Sequence, residues 1–241
     1  MGKEVLIEEA DKLNVLCLHG YRQNGDSFRS KTGSLRKIIK KFVNFTYISA
    51  PHLAKPINEN DPIDENQRSW WFNKDDSSFK GTNVDGPAFK FEESLKFVEE
   101  VWNKGNFQGL IGFSQGASFV SLIASMSAKS LTSIKPRFVF LAAGFPSQSL
   151  AHKNLYEIKI PIPSLHVYGL NDEIICHELS LKLLDSFENP QVKTHEGGHY
   201  VPSSSKEKQC YVDFFRNHLE NYLEYKEMQR DGIVVENSSD D

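Results

Sequence analysis

The chain has 241 residues, of which 39% are apolar and 25% charged, and its formal net charge is −4. This length and balance are typical of one globular domain with a sizeable core, and the slight acidic excess argues against a nucleic-acid partner, which would require a basic face. No run approaches the roughly 18 apolar residues of a membrane span, so we expect no stable membrane insertion.

Short apolar runs alternate along the chain with segments of helical period. The runs are predicted to be buried strands at residues 14–18, 45–48, 107–113, 138–142, 164–168 and 192–195. Between and after them, apolar or small residues with helical spacing predict helices that cover residues 35–42, 91–102, 115–128, 174–184 and 211–222. Strands that alternate with helices predict repeated β–α–β units, and therefore an α/β protein whose mostly parallel sheet is covered by helices on both faces.

Residues 51–87 interrupt this alternation. The segment is rich in Asn, Asp, Ser and Pro, and a connection longer than about 12–15 residues is usually functional or disordered. It also contains Trp70, Trp71 and Phe72, which a purely solvated loop would not carry, so we interpret it as an excursion that lines a pocket; the alternative is that all three rings anchor the core. We expect a single domain over residues 1–231 and a disordered tail at 232–241.

The strongest motif is Gly112-Phe113-Ser114-Gln115-Gly116, which matches the pattern G-x-S-x-G. An apolar strand is predicted before it and a helix rich in small residues after it, the context of a nucleophile elbow, in which a strained turn presents the serine. The two glycines avoid collisions with the neighbouring strand or helix. The backbone N–H of Gln115 would lie at a helix N-terminus, where it can donate to a developing oxyanion.

A serine nucleophile needs a base within hydrogen-bond reach, and the base needs an acid that orients it. Asp172 follows the predicted strand 164–168, and His199 follows the strand 192–195, so both are expected at the carboxyl edge of the sheet. Their order along the chain, serine then acid then histidine, is that of nucleophile-elbow enzymes. Asp172 could alternatively cap the next helix, and His199 could be a surface loop residue, but the pair in this order favours the catalytic interpretation.

Other residues compete for these roles. His195 is expected inside the last strand, with its ring pointing across the sheet, and Asp185 on the solvated side of a helix. His19 closes the first strand and is interpreted as a structural histidine that fixes the following loop. In that loop, the N–H of Tyr21 is expected to be the second oxyanion donor.

Residues 195–199 also satisfy H-E-x-x-H, the zinc metalloprotease pattern. That motif works on a helix, and the adjacent glycines at positions 197 and 198 would cost about 2 kcal/mol there relative to alanine. We therefore favour the metal-free interpretation. The chain contains neither G-x-G-x-x-G nor a P-loop, so no nucleotide cofactor is implied.

The sequence resembles the α/β-hydrolases known as the family of serine hydrolases, over about residues 14–222. The landmarks that carry the resemblance are residues 16–25, 68–72, 112–117, 166–172 and 197–202. The resemblance implies an α/β-hydrolase fold without a large separate cap domain, carboxylesterase or thioesterase activity without metal or cofactor, and a triad of Ser114, Asp172 and His199. One departure concerns the acid loop, where relatives often carry Val-Pro shortly after the aspartate and this chain has Ile175-Cys176.

These observations predict a serine hydrolase that cleaves apolar acyl esters, either small molecules or lipid-like substrates. Because the 51–87 excursion begins at the same sheet edge as the triad, Trp70 and Trp71 are expected to contribute to the pocket wall beside Phe113 and Phe145. The alternative from another functional class is a catalytically silent scaffold that serves as a ligand-binding module.

The three cysteines, Cys17, Cys176 and Cys210, form no paired framework, which fits a reducing compartment. The first residues of the chain lack the apolar core of a signal peptide. We therefore expect a cytoplasmic protein; a nuclear location is also compatible with these observations.

Overall fold

A computed structural model describes residues 8–58 and 61–232. The tail predicted at residues 232–241 lies, apart from Gly232, outside this range.

The central sheet has six strands, and every pair of neighbours is parallel. Eight strands are numbered in chain order: β1 (Leu13–Leu18), β2 (Val43–Ile48), β3 (His52–Leu53), β4 (Arg68–Ser69), β5 (Gly109–Phe113), β6 (Phe138–Ala142), β7 (Ser164–Gly169) and β8 (Gln191–His195). The sheet order is β2-β1-β5-β6-β7-β8, and β3 and β4 form a separate antiparallel pair. The predicted α/β class with a mostly parallel sheet is confirmed.

Helices cover both faces of the sheet. They are α1 (Gly25–Lys31), α2 (Gly33–Ile39), α3 (Phe91–Lys104), α4 (Gln115–Ala128), α5 (His177–Leu184) and α6 (Ser205–Arg230). One core cluster joins α3, α4 and α5 to the sheet, and a second joins α1, α2 and α6 to its other face. Within β1, Leu16 and Leu18 belong to the first cluster and Val15 and Cys17 to the second, which is the two-residue alternation of a strand buried on both faces.

Helix α4 lies deepest in the protein, and every residue from Gln115 to Met126 is buried. Its alanines and serines carry little volume, which allows the helix to pack close against the middle of the sheet. The position of α4 matters for function because it begins directly after β5, at the carboxyl edge of the sheet.

Helix α1 has no apolar stripe that would predict it, because its buried residues are only Gly25 and Phe28. A local signal was present: Asn24 and Ser27 form a reciprocal capping box. The predicted helix at 174–184 begins later than expected, at His177, and the predicted 211–222 helix is the middle of the longer α6.

Within the two ranges that the structure covers, no helix combines the length and the apolar character needed to cross a lipid bilayer.

Four histidines are held in the neutral form by their surroundings. Burial lowers the pKa of His19, His152 and His218 to about 4 and that of His166 to about 3. In an unfolded chain the same side chains take up a proton near pH ~6.5. As the pH falls from about 6.5 towards 4, the unfolded chain therefore binds protons that the folded chain does not, and the folded state loses stability.

We expect the free energy of unfolding to fall between pH 7 and pH 5, with a slope that approaches about 1.4 kcal/mol per pH unit below pH ~6.5 for each neutral histidine that must protonate on unfolding. Urea denaturation at both pH values measures this slope. His218→Phe should reduce the slope by about one proton, since the ring of His218 stacks on Phe138 with centroids 4.6 Å apart and a phenyl ring can replace it. Equal stability at pH 7 and pH 5 would contradict the prediction.

Candidate active site

Ser114 occupies a strained turn between β5 and α4. Its backbone has φ 53° and ψ −117°, a left-handed conformation that is costly for a residue with a side chain. The turn is held by the Ser114 N–H, which donates to the carbonyl of Ala142 at 2.9 Å. This is the geometry of a nucleophile elbow, and it presents the serine side chain at the edge of the sheet.

Two glycines permit the turn, as the motif predicts. A β-carbon at position 112 would lie 2.5 Å from the carbonyl oxygen of Gly116, and a β-carbon at position 116 would lie 2.2 Å from the carbonyl oxygen of Leu18 in β1. Both contacts are with backbone atoms, which cannot rotate away. Only glycine fits at either position without moving β1 or α4.

The structure brings Ser114, His199 and Asp172 together. Ser114 Oγ lies 2.9 Å from His199 Nε2, and His199 Nδ1 lies 2.7 Å from Asp172 Oδ2. The side chain of Asp172 is 1% exposed and that of His199 18%. An ionised carboxylate only accepts hydrogen bonds, so Nδ1 carries the imidazole proton and Nε2 is free to accept from the serine hydroxyl.

Asp172 is held in the ionised form. Burial alone would raise the pKa of its carboxyl group, but the hydrogen bond from His199 and those from the amides of Ile175 and Ile174 outweigh burial and hold the pKa below its ordinary value. Both amides donate to Oδ1 at 2.9 Å, which leaves Oδ2 for the imidazole. The N-cap position of α5 is Cys176, so Asp172 serves its own loop rather than the start of that helix.

The loops that carry Asp172 and His199 are bonded to each other. Leu170 N donates to the carbonyl of His195 at 2.8 Å, and the Asn171 side chain donates to the carbonyl of Glu196 at 2.6 Å. A β-carbon on Gly169 would lie 2.2 Å from the carbonyl oxygen of Gly197, so the two loops run in direct backbone contact. This contact fixes the separation of the carboxylate and the imidazole.

The two expected oxyanion donors flank the serine. Gln115 begins α4, and the loop that contains Tyr21 passes Ser114 so closely that a β-carbon on Gly20 would lie 3.3 Å from the serine β-carbon. Among the residues described, neither the Tyr21 nor the Gln115 amide donates a hydrogen bond to another protein atom. Both N–H groups are therefore available to a substrate oxygen.

His19 fixes the peptide that carries the Tyr21 N–H. Its Nε2 accepts from Ala50 N at 2.9 Å, so Nδ1 is protonated and donates to the carbonyl of Gly20 at 2.8 Å. That carbonyl and the Tyr21 N–H belong to one peptide group, so the bond sets their common orientation. Burial lowers the pKa of His19 to about 4, which keeps the ring neutral, and its two nitrogens are engaged away from Ser114.

The other competing residues lie apart from Ser114. His195 is the last residue of β8; its Nδ1 accepts from Gly197 N at 3.2 Å and its ring packs 4.9 Å from that of Tyr200. Asp185 is exposed at the C-terminal end of α5. Residues 196–200 form a loop, so the helix that the zinc pattern requires is not there. In the described ranges, no three or more His, Cys, Asp or Glu side chains group so as to hold a metal ion.

Trp70 and Trp71 are fully buried. The Trp70 ring lies 5.3 Å from that of Phe119 on α4, and Trp71 meets Phe79 and Phe91 edge to face. Neither indole has exposed surface in this conformation, which agrees with the alternative that these rings anchor the core. A pocket-lining role for either one stays a prediction.

Phe79, which was not among the residues predicted from the sequence, connects the excursion to the site. Its ring lies 5.4 Å from Tyr21, 5.0 Å from Trp71 and 6.2 Å from Phe145. It stands alone among polar residues, so no periodicity indicated that it would be packed. The only signals in the sequence were the length of the excursion and its run of adjacent aromatic residues, and that run indicated Trp70, Trp71 and Phe72 instead.

The other two predicted pocket residues border the loops that carry Asp172 and His199. The Phe113 ring lies 4.9 Å from the imidazole of His199 and is 6% exposed. Phe145 follows β6, and a β-carbon on Gly81 in the excursion would lie 3.1 Å from it and 2.6 Å from Ile175 in the acid loop. The excursion therefore packs against the edge of the sheet that carries Ser114, as expected.

A cavity of about 500 Å³ lies elsewhere, beside the edge strand β2. Its charged lining consists of Glu9 and four basic side chains, Lys12, Arg29, Arg36 and Lys40. It contains none of the site residues predicted from the sequence.

Comparisons with known proteins show which family the chain resembles. The family model described as serine hydrolase (FSH1) matches residues 9–211. Esterase CG5412 of Drosophila melanogaster is 53% identical over 95% of this chain and 83% of that protein. Esterase OVCA2 of Danio rerio is 42% identical over 85% of this chain and 96% of that protein.

Among solved structures, acyl-protein thioesterase 2 of Zea mays matches 86% of this chain and 94% of its own, with a TM-score of 0.66 and 18% sequence identity. At such a low sequence identity, the structural similarity shows a shared fold alone.

We predict that Gly116→Ala destabilises the protein by at least 1–3 kcal/mol, the usual range for about one inserted methyl group in a packed interior. The new β-carbon would meet a strand carbonyl at 2.2 Å. Gly33→Ala is the matched control, since its β-carbon would approach nothing closer than the far end of Arg36, at 3.8 Å. Thermal unfolding should show a lower Tm for the first variant and an unchanged or higher Tm for the second; equal values would refute the packing argument.

Proposed function

Since the chain belongs to the serine hydrolase family, we propose that it is an esterase that cleaves carboxylic acyl esters through Ser114, His199 and Asp172. The observation that carries the proposal is the unbroken series of hydrogen bonds from Asp172 through His199 to Ser114, at 2.7 and 2.9 Å. The relatives named as esterases support the same class of reaction.

In the first half of the reaction, His199 Nε2 takes the proton of the Ser114 hydroxyl as the oxygen attacks the ester carbonyl carbon. Asp172 stabilises the resulting imidazolium and keeps its Nδ1 proton directed at the carboxylate. Because the pKa of Asp172 lies below its ordinary value, this negative charge is present throughout the neutral range.

The carbonyl oxygen becomes an oxyanion, and the backbone N–H groups of Tyr21 and Gln115 donate hydrogen bonds to it. The Gln115 amide lies at the N-terminus of α4, where the helix dipole adds to the stabilisation. Collapse of the tetrahedral intermediate breaks the ester bond; the leaving alkoxide takes the proton from His199 and departs as an alcohol. The acyl group stays on Ser114 Oγ.

Water completes the cycle. His199, again neutral, removes a proton from a water molecule that attacks the acyl-enzyme, and the same two amides hold the second oxyanion. Breakdown of this intermediate releases the carboxylic acid and returns the proton to Ser114 Oγ. The complete reaction consumes one water molecule and needs no metal or cofactor.

The surroundings of Ser114 favour an apolar acyl group, from a small-molecule or lipid-like ester. Phe113 and Phe145 border the catalytic loops, and Phe79 brings a third ring from the excursion. We include the excursion, residues 51–87, in the same domain as the rest of the chain, since its packing against Phe145 and Ile175 makes it part of the site.

Ser114→Ala should lower kcat for a simple aryl ester by about 10⁴–10⁶, because members of a triad fail as a unit. Asp172→Asn should lower it by about 10⁴, since the amide stabilises the wrong imidazole tautomer. Both variants should fold, as neither adds bulk. The direct measurement is reaction with a fluorophosphonate, whose adduct should map to Ser114 and be absent from Ser114→Ala.

An adduct on Cys17, or retained turnover in Ser114→Ala, would overturn the mechanism. A wild-type protein that forms no adduct and turns over no ester would indicate the ligand-binding scaffold instead. A chelator should leave activity unchanged.

For a series of acyl esters, kcat/KM should rise by up to about fourfold per methylene, the equivalent of about 0.8 kcal/mol, until the apolar surface is covered. Phe145→Leu, which removes a buried ring that packs between the excursion and the loop of Asp172, should flatten this rise and spare acetyl esters. Trp71→Ala is the contrasting variant: because the indole is buried in the core, it should reduce stability and affect all chain lengths alike. Flattening by Trp71→Ala alone would assign the pocket wall to Trp71.

A further inference from the structure

The residues 68–71, which comprise β4 and both tryptophans, bond to the loop that carries Tyr21. Arg22 N donates to the carbonyl of Arg68, and Arg68 N donates to the carbonyl of Gln23, both at 2.9 Å. The Trp70 indole N–H donates to the carbonyl of His19 at 2.8 Å. The 68–71 segment thus holds this loop at both its start and its end.

The same segment bonds to the residue that follows the nucleophile. Gln115 Oε1 accepts from Trp70 N at 3.0 Å, and Gln115 Nε2 donates to the carbonyl of Trp71 at 2.8 Å. The Ser69 hydroxyl donates to the same Trp71 carbonyl at 2.7 Å. The side-chain amide of Gln115 therefore pairs with the segment as a neighbouring strand would, through one donor and one acceptor.

These bonds are shielded from water. Gln115, Ser69 and Trp70 are all 0% exposed. The carbonyl of Trp70 is also engaged, since it accepts from the Ser94 hydroxyl at 2.5 Å. A buried polar group that loses its hydrogen bond costs free energy, so these bonds hold the backbone of the 68–71 segment in the position observed here.

The two expected oxyanion donors come from different parts of the chain. The sheet places the ends of β1 and β5 side by side, with Leu18 opposite Gly112, but the residues that carry the donors lie beyond these ends. An oxyanion hole works only if its donors stand at fixed positions before the reaction begins. The 68–71 segment is bonded to both sides.

We propose that the 68–71 segment is a brace for the oxyanion hole, and that the side chains of Gln115 and Trp70 are its positioning residues. This inference rests on the proposed function. Gln115 then has two tasks: its backbone N–H contacts the oxyanion, and its side chain fixes where that N–H stands relative to Tyr21. Glutamate at this position would lack the donor for the Trp71 carbonyl and would add a negative charge beside a forming oxyanion.

The test uses two variants that each remove one arm of the brace. Gln115→Met removes the amide, and Trp70→Phe removes the indole N–H while keeping an aromatic ring against Phe119. Gln108→Met is the matched control, since Gln108 is also buried and accepts from a backbone amide, that of Asn14 at 2.8 Å, but stands at the opposite end of β5.

Both brace variants should lower kcat by about 10–100-fold, less than the 10²–10³ expected for outright loss of one donor, with KM changed by less than about twofold. Their affinity for a trifluoromethyl ketone, whose adduct with serine carries an oxyanion, should fall by a similar factor. The pH profile should keep its shape, because His199 and Asp172 are untouched. Gln108→Met should keep the wild-type kcat at temperatures where it is folded.

Unchanged kcat and ketone affinity in folded Gln115→Met and Trp70→Phe would overturn the brace and leave the proposed function intact. An equal loss in Gln108→Met would also overturn it, because the effect would then be general destabilisation. A wild-type protein without ester turnover or a Ser114 adduct would instead refute the proposed function, and the brace with it.

Discussion

Helix α4 approaches strand β1 so closely that a β-carbon at position 116 would lie 2.2 Å from a strand carbonyl oxygen. That contact sets the direction in which the chain must leave β5, and it forces Ser114 into a left-handed conformation. It also places the first amide of α4 at the carboxyl edge of the sheet, next to the loop that follows β1. The Ser114 side chain and the Gln115 amide thus derive their positions from one backbone contact, and the other groups of the proposed site are arranged around it.

Asp172 and His199 reach Ser114 through a second backbone contact, between the loops after β7 and β8. Gly169 allows the two loops to touch, and three of the bonds that orient Asp172 come from its own loop or from His199. The carboxylate is therefore buried without being left unpaired, which is the condition under which a buried charge is tolerated. Parallel strand order brings these loops to the same edge as α4, so the fold class and the site geometry are consequences of one topology.

The sequence predicted the sheet, five of the six α-helices within the described residues, and the assembly of Ser114, Asp172 and His199. Each of these depends on local patterns: apolar period, glycine spacing and position at a strand end. Features that depend on distant contacts were not predictable in the same way. Helix α1 buries too little apolar surface to show a stripe, and Phe79 is isolated among polar residues, so neither has a periodic signal. The expected position of Trp70 and Trp71 at the pocket wall followed from the excursion's starting point, whereas their packing against α3 and α4 depends on where the excursion returns.

The core and the expected oxyanion hole share residues, so stability and catalysis are coupled here. Trp70 packs on Phe119 as a core residue does, yet its indole N–H and its backbone amide both bond to groups that adjoin the expected oxyanion donors. His19 shows the same overlap: the bond from Ala50 stabilises the fold only while the imidazole is neutral, and that neutrality leaves its Nδ1 proton as the donor that orients the Gly20–Tyr21 peptide. Protonation of His19 would convert Nε2 into a second donor facing the Ala50 N–H. This would disrupt both the fold and the loop that carries Tyr21. The burial that lowers the pKa of His19 to about 4 therefore protects structure and site over the same range of pH.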